Sequence, residues 1–224
     1  ENSHGAAGAV LELLSWADEA GLLVEREGAI DLASHEQLPP DGDVRLARVP
    51  LLPLGDALVL VVAAALGSRC DVATLRRASP EATQERLASL QAGGWLVTEG
   101  TRHVSVREHT VRELLLKQVT PDLHARCAAA LIEQGKADPS SVDHAELAAH
   151  LVAAGDGARG APLWKHALDV ALARADSRAG SIAWEGMASA MALMPVSDAQ
   201  TRARVDALAR AAAQALVTED VARA

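Results

Sequence analysis

The sequence predicts a mostly α-helical protein, with one small β-containing unit in its middle and an antiparallel helical array behind it. Three observations carry this expectation. Half of the 224 residues are hydrophobic, with no Phe or Tyr, and a core built from Ala, Leu and Val at this density favours helix over sheet. The stretch "WLVTEGTRHVSV" (95–106) reads as strand, Glu–Gly turn and alternating strand, directly after a helix that ends at "AGG". From Pro121 onward the apolar residues recur at helical spacing, and the breaks between the periodic segments are short, which forces consecutive helices to run antiparallel.

Taken in order, residues 6–20 read as a helix with Val10, Leu13, Leu14 and Ala17 on one face, ended by Gly21. "LLVEREGAIDLA" follows as two short strands. Residues 1–45 thus hold a partial copy of a helix-then-wing pattern, and "LPPDGDVRLARVPLLPLGD" connects it onward, with 46–53 as the linker. Next come a buried helix, Asp56–Leu66, a short helix, Val72–Arg77, and a third, Pro80–Leu90, with Ser79 as N-cap and Pro80 at its first position. With the strands at 95–106 and the helix after them, these predict a winged-helix domain, three helices plus a short β-wing, across 54–119. Trp95 opens the wing and is expected to lie over Leu66, Leu87 and Leu90 as a core anchor. Residues 120–224 predict the helices Asp122–Gln134, Asp143–Ala153, Ala161–Ala175, Arg178–Met194 and Ala199–Val217. Two of them share a small–x3–large–x2–Ala spacing: Gly160, Trp164, Ala167 and Ala183, Met187, Ala190. Such spacing predicts an antiparallel helical-hairpin, tetratricopeptide-like (TPR-like) solenoid.

Net charge is −9 and unevenly spread. Residues 1–65 hold three basic and eleven acidic residues (−8), 66–119 eight and six (+2), and 120–224 ten and thirteen (−3). An acidic chain with a faintly positive middle is a poor partner for a phosphate backbone. The longest apolar run, Ala57–Leu66, is too short to span a bilayer. The two cysteines, Cys70 and Cys127, have no CxxC spacing, which fits a reducing, cytoplasmic setting.

The densest collection of polar side chains is "VREHTVRE", where Arg107, Glu108, His109, Arg112 and Glu113 mark the strand-to-helix junction. As a catalytic site it has no Ser or Cys nucleophile nearby, so it reads instead as an interdomain contact of ion pairs. As a DNA reader, the third helix would bring Glu81 and Glu85 towards phosphates, against Arg86, the Arg76–Arg77 pair and Arg102. His144 and His150 are six apart and face different ways, and His124 with Cys127 makes half a metal site without a second half. No metal and no cofactor is expected. Trp164 and Trp184 read as core anchors, or as the lining of a groove for a protein partner.

In this order of elements the chain resembles the arm of STAND-class signalling ATPases, bacterial regulators in which an AAA-type core is followed by a winged helix and tetratricopeptide-like repeats. Three segments carry the resemblance: "LELLSWADEAGLLVEREGAIDLA"; "LVLVVAAALGSRCDVATLRRA"; and "VSVREHTVRELLLKQVTPDLHARCAAALIEQ" with "AELAAHLVAAGD". In the third, the family's Phe–Arg–His and aliphatic–Arg–Glu appear as Val106–Arg107–Glu108 and Val111–Arg112–Glu113, followed by His124 and Arg126. The resemblance implies that residues 1–45 are the end of the ATPase lid, that the winged helix restrains the ATPase core, and that the repeats bind a partner or effector. GxxxxGK(S/T) occurs nowhere, and Gly135–Lys136 lacks its surroundings. The chain therefore reads as a non-enzymatic fragment of such a protein, in preference to a degenerate stand-alone descendant. The competing expectation is a winged-helix transcription regulator with a helical effector or dimerisation domain.

Overall fold

A computed structural model describes residues 17–18, 20–26, 29–32, 49–100, 102–195, 201–211 and 213. Most of the predicted helix 6–20, most of the connector and the ends of the predicted helix Ala199–Val217 lie outside the described residues. The first strands are present: β1 (Leu23–Arg26) pairs antiparallel with β2 (Ala29–Leu32), Leu23 opposite Leu32 and Arg26 opposite Ala29.

The rest is mostly helical, with a small antiparallel sheet. Helix α1 (Leu54–Ala65) is a run of Leu, Val and Ala whose residues 59–64 are all buried. It is followed by β3 (Cys70–Asp71), α2 (Val72–Ala78), α3 (Gln84–Ala92), β4 (Leu96–Glu99), β5 (His103–Val106) and α4 (His109–Leu116). The sheet order is β3-β5-β4, with Leu96 opposite Val106 and Cys70 opposite Val104. The β4–β5 turn passes through Gly100 at φ +65°, a conformation that glycine adopts without steric cost. Along β5, Val104 and Val106 point into the core while His103 and Ser105 alternate outward.

Two expectations about this unit need correction. Ser79 does not cap the third helix. It terminates α2, its N–H donating to the Leu75 carbonyl, and its hydroxyl donates to Glu81 Oε2 at 2.9 Å. Helix α3 begins after Thr83, whose hydroxyl is free to accept from the Arg86 N–H. Both residues have the extended backbone an N-cap needs, but the residues after Ser79 form a turn closed by the Ala82 N–H on the Ser79 carbonyl, and the helical bonds begin with the Leu87 N–H on the Thr83 carbonyl. Trp95 is half-buried rather than a full anchor, lying over Gly93 at the rim of the core, while Leu87 and Leu90 fill the interior. Trp95→Ala is therefore expected to cost about 1–2 kcal/mol, below the roughly 3–5 of a fully buried ring, as read from the urea midpoint.

The arm contains α5 (Pro121–Ala137), α6 (His144–Ala153), α7 (Gly157–Ala173), α8 (Ser177–Ala192) and α9 (201–211). Each of α5 to α8 starts on a side-chain cap: Thr120, Asp143, Asp156 and Asp176, respectively. Helix α7 starts four residues before the predicted Ala161, because the Asp156 carboxylate accepts from the Arg159 N–H. Pro162 thus falls inside the helix, and so does Gly160.

The α6–α7 and α7–α8 connections repeat one geometry. Gly155 (φ +89°) and Ala175 (φ +53°) take left-handed backbone, followed by Asp156 and Asp176, whose N–H groups close back on Leu151 and Ala171. The repeat length is twenty residues, and it aligns Gly160 with Gly180 and Trp164 with Trp184. The true phase of the small–large spacing is therefore Gly160–Trp164 against Gly180–Trp184, not Gly160–Trp164 against Ala183–Met187.

Close approach explains the small residues. A Cβ on Gly157 would lie 2.2 Å from the Ala190 carbonyl oxygen, one on Gly160 2.7 Å from Val152, and one on Gly186 2.2 Å from the Trp164 ring. The core does not stop at residue 119. Helix α5 packs on α2 and α1, and Leu123, Cys127, Leu131, Leu147 and Leu151 belong to the same buried cluster as Leu60, Leu75 and Leu115.

Candidate functional site

The junction residues 107–113 divide between surface and interior. Arg107 is exposed, and its N–H donates to the Trp95 carbonyl. Glu108 is half-buried at the N-cap position of α4. His109 and Glu113, one helical turn apart, form an exposed contact at 3.3 Å, of a kind that contributes little in water. Arg112 turns inward, on the same helix face as the buried Val111 and Leu115, and its Nε donates to the Ala64 carbonyl at 3.3 Å.

That carbonyl belongs to the last turn of α1, where a helix exposes unsatisfied acceptors and the negative end of its dipole. A second side chain approaches the same end: His150 of α6, only 4 % exposed, lies close enough for the Ala65 carbonyl to act on its ring. His150 Nδ1 also lies 2.8 Å from Nδ1 of His124 on α5. Burial, and then His124, push the His150 imidazole down to about 4, so the ring is neutral at pH 7. Burial lowers His124 as well.

Glu146, one turn before His150 on α6, completes the seam. It lies against Gly67, and its Oε1 is buried without a hydrogen-bond partner among the described residues. Burial, with Asp143 adding to it and Arg112 opposing it, pushes the Glu146 carboxyl up to about 7. The carboxyl borders a polar cavity of about 80 Å³, also lined by Cys70, Asp71, Thr74, His103 and Gln134. Across it, Thr74 Oγ1 of α2 donates to Gln134 Oε1 of α5 at 2.5 Å, and Gln134 Nε2 donates to the Ser141 carbonyl. Burial pushes the Cys127 thiol up to about 12 and the Cys70 thiol higher still, so neither is a thiolate nucleophile at neutral pH. The chemistry of this region is that of a joint: polar side chains of the arm satisfying groups of the sheet-bearing unit.

Three of the four basic side chains expected near the third helix are engaged within the chain, while Arg77 is exposed. The Arg86 guanidinium sits on Gly55, pairs with Asp56 at 2.8 Å and donates to the Glu81 carbonyl. Arg76 donates to the Ala82 carbonyl and to Gln84, and Arg102 lies 3.7 Å from Asp71.

The two arm tryptophans occupy equivalent positions on successive helices rather than one groove. Trp164 is 6 % exposed, pressed on Gly186 of α8, with its indole N–H buried and unpartnered among the described residues. Trp184 is half-buried, with the Arg210 guanidinium of α9 5.4 Å from its ring centre. Trp164 also borders a pocket of about 410 Å³ between α6, α7 and α8, with Ile182 half-exposed at its side. The rings of His144 and His166, also at this pocket, meet edge to face at 4.5 Å.

Sequence reasoning missed Glu146, the His124–His150 contact and the Thr74–Gln134 bridge. The available signal was that Glu146 and His150 stand four apart on a face that also carries Leu147 and Leu151. Among the described residues, no helix is long and apolar enough to cross a membrane. Comparison with family models, curated proteins and solved structures finds no match for this chain.

Proposed function

We propose that the chain is a non-catalytic regulatory and protein-interaction segment, in which a winged-helix unit restrains a nucleotide-binding core of the STAND ATPase kind and a TPR-like arm receives a partner or effector. The observation that carries this reading is the seam. Helix α5 shares one buried cluster with α1 and α2, so a partner's pull on the arm is transmitted to the winged-helix unit without a flexible linker. A ligand on the arm acts through its different affinity for the two positions of such a lever. The order α1-β3-α2-α3-β4-β5, with β3 completing the sheet beside the wing hairpin, supports the winged-helix part. The twenty-residue recurrence of turn, cap and tryptophan supports a repeat arm, with two helices per forty residues instead of the tetratricopeptide's usual 34. The internal pairing of Arg76, Arg86 and Arg102 weighs against the transcription-regulator alternative, because a helix presented to DNA needs those charges free.

The reading is tested by the gene and by the protein. Sequence upstream of Glu1 is expected to encode GxxxxGK(S/T), whereas the chain itself is expected to show no heat of ATP binding in calorimetry and no retention on a DNA column at moderate salt. An upstream region without a P-loop, or DNA retention released by salt, overturns it in favour of the transcription regulator.

A further inference from the structure

We propose that His124 and His150 form a proton-operated latch between α5 and α6, closed while one proton lies between the two Nδ1 atoms and released when both Nδ1 atoms are protonated. The geometry sets the proton count. At 2.8 Å, Nδ1 to Nδ1, one nitrogen must present N–H and the other a lone pair. Burial disfavours the cation on both rings, so in the closed contact each ring is neutral, one donating through Nδ1 and the other accepting there. A further proton on the accepting Nδ1 sets two N–H groups head to head, and the contact between α5 and α6 has to break.

Among the described residues, no carboxylate acts on either ring as a counter-ion for a second proton. Helix α1 presents the carbonyls of Ala64 and Ala65, the former already accepting from Arg112. Helix α4 presents the Arg112 cation, which opposes added positive charge. On α5, Cys127 is a neutral thiol, and Arg126 lies 3.6 Å from Glu81. On α6, Glu146 is held largely protonated below neutrality.

Glu146 also hides the latch from a simple pH titration. The His150 pKa is depressed from 6.5, so its stabilising contribution is present above pH 6.5 and lost as pH falls towards about 4. The Glu146 pKa is raised from 4.5, so its contribution is present below pH 4.5 and lost as pH rises through about 7. Below pH 6.5, release lets His150 and His124, both held below their ordinary range by burial, take up protons, while above pH 4.5 it lets Glu146 give one away. The effects oppose each other, and the wild-type seam is expected to depend on pH less steeply there than a variant without Glu146.

Glu146→Gln removes that offset. In this variant of the full chain, hydrogen exchange corrected for intrinsic rates is expected to show amides of α6 losing protection by at least about tenfold per pH unit below 6.5, one proton's worth or more. Amides of the β4–β5 hairpin are expected to keep theirs, and adding His150→Gln to Glu146→Gln is expected to reduce the dependence. A flat profile in Glu146→Gln, or equal loss in α6 and β4–β5, overturns the latch. Imidazole nitrogen NMR of the wild-type protein tests it without any substitution. At pH 7 one of the two Nδ1 atoms is expected to be protonated and the other not, and two Nε2–H tautomers, or two protonated Nδ1 atoms, refute the shared proton. The latch does not depend on the presence of an ATPase core, so its failure and that of the proposed function are separate results.

Discussion

Gly186→Ala is expected to destabilise the arm by about 2 kcal/mol, although the same change on an open helix face stabilises by about 1 kcal/mol. Gly186 lies well inside α8, where glycine is a poor helix former, so propensity alone favours alanine. The new Cβ, however, would lie 2.2 Å from Trp164 Cε2 and within 2.6 Å of two further ring atoms. An indole cannot bend away as a lysine tail can, and Trp164 is itself buried, so α7 and α8 must separate or the ring must leave its rotamer. Overpacking of this kind costs about 1–3 kcal/mol, and an approach this close belongs at or above the top of that range before the propensity gain is subtracted. Urea midpoints of Gly186→Ala, Trp164→Leu and the double variant close the test. With the indole removed, Gly186→Ala is expected to become neutral or stabilising, giving a coupling well outside additivity. Equal effects in both backgrounds would mean that the ring does not lie on Gly186.

The second large effect is expected at the seam. Leu75 is fully buried on α2, the helix against which α5 packs. Leu75→Ala is expected to cost about 2–5 kcal/mol, as truncations in closed cores do. More diagnostic is the form of the transition. Trp95 reports on the sheet-bearing unit, and Trp164 and Trp184 report on the arm, so fluorescence of single-tryptophan variants separates the two. Because the buried cluster runs through both, they are expected to lose structure at one urea concentration and to shift together in Leu75→Ala. Two transitions, with only the first moved, would show a boundary at residue 119 that cooperativity does not cross.

The mostly helical class was legible because Ala- and Leu-rich segments with capped starts leave few other ways to satisfy the backbone. The β4–β5 hairpin was legible for a local reason too, since its Glu–Gly turn and the in–out alternation of 103–106 need no knowledge of distant residues. The strand Cys70–Asp71 was not, because two residues carry no periodicity and exist as a strand only by pairing with Val104 and His103. The start of α3 depended on whether the residues after Ser79 or those after Thr83 wind into helix, and the turn closed by the Ala82 N–H on the Ser79 carbonyl decides it. Of the candidate site, the sequence singled out the 107–113 cluster, of which Arg112 turns into the seam. His150 entered only beside His144, as a pair facing different ways, and the ring it meets, His124, lies 26 residues away in sequence. The repeat was visible in principle, with tryptophans twenty residues apart, but Gly160 matched two later segments and the geometry of the turns was needed to choose between them.

The twenty-residue spacing of those turns also bears on how such an arm can lengthen or shorten in evolution. One spacing encodes one helix, and consecutive helices run in opposite directions, so the unit that repeats along the gene is half the unit that repeats in space. Duplicating a single twenty-residue segment would reverse the heading of every helix downstream and present their opposite ends to whatever the array meets. Duplicating two would restore the heading and add one step. Length variants that still work should therefore differ by multiples of about forty residues, and a gain or loss of about twenty should be found only where the last helix is affected.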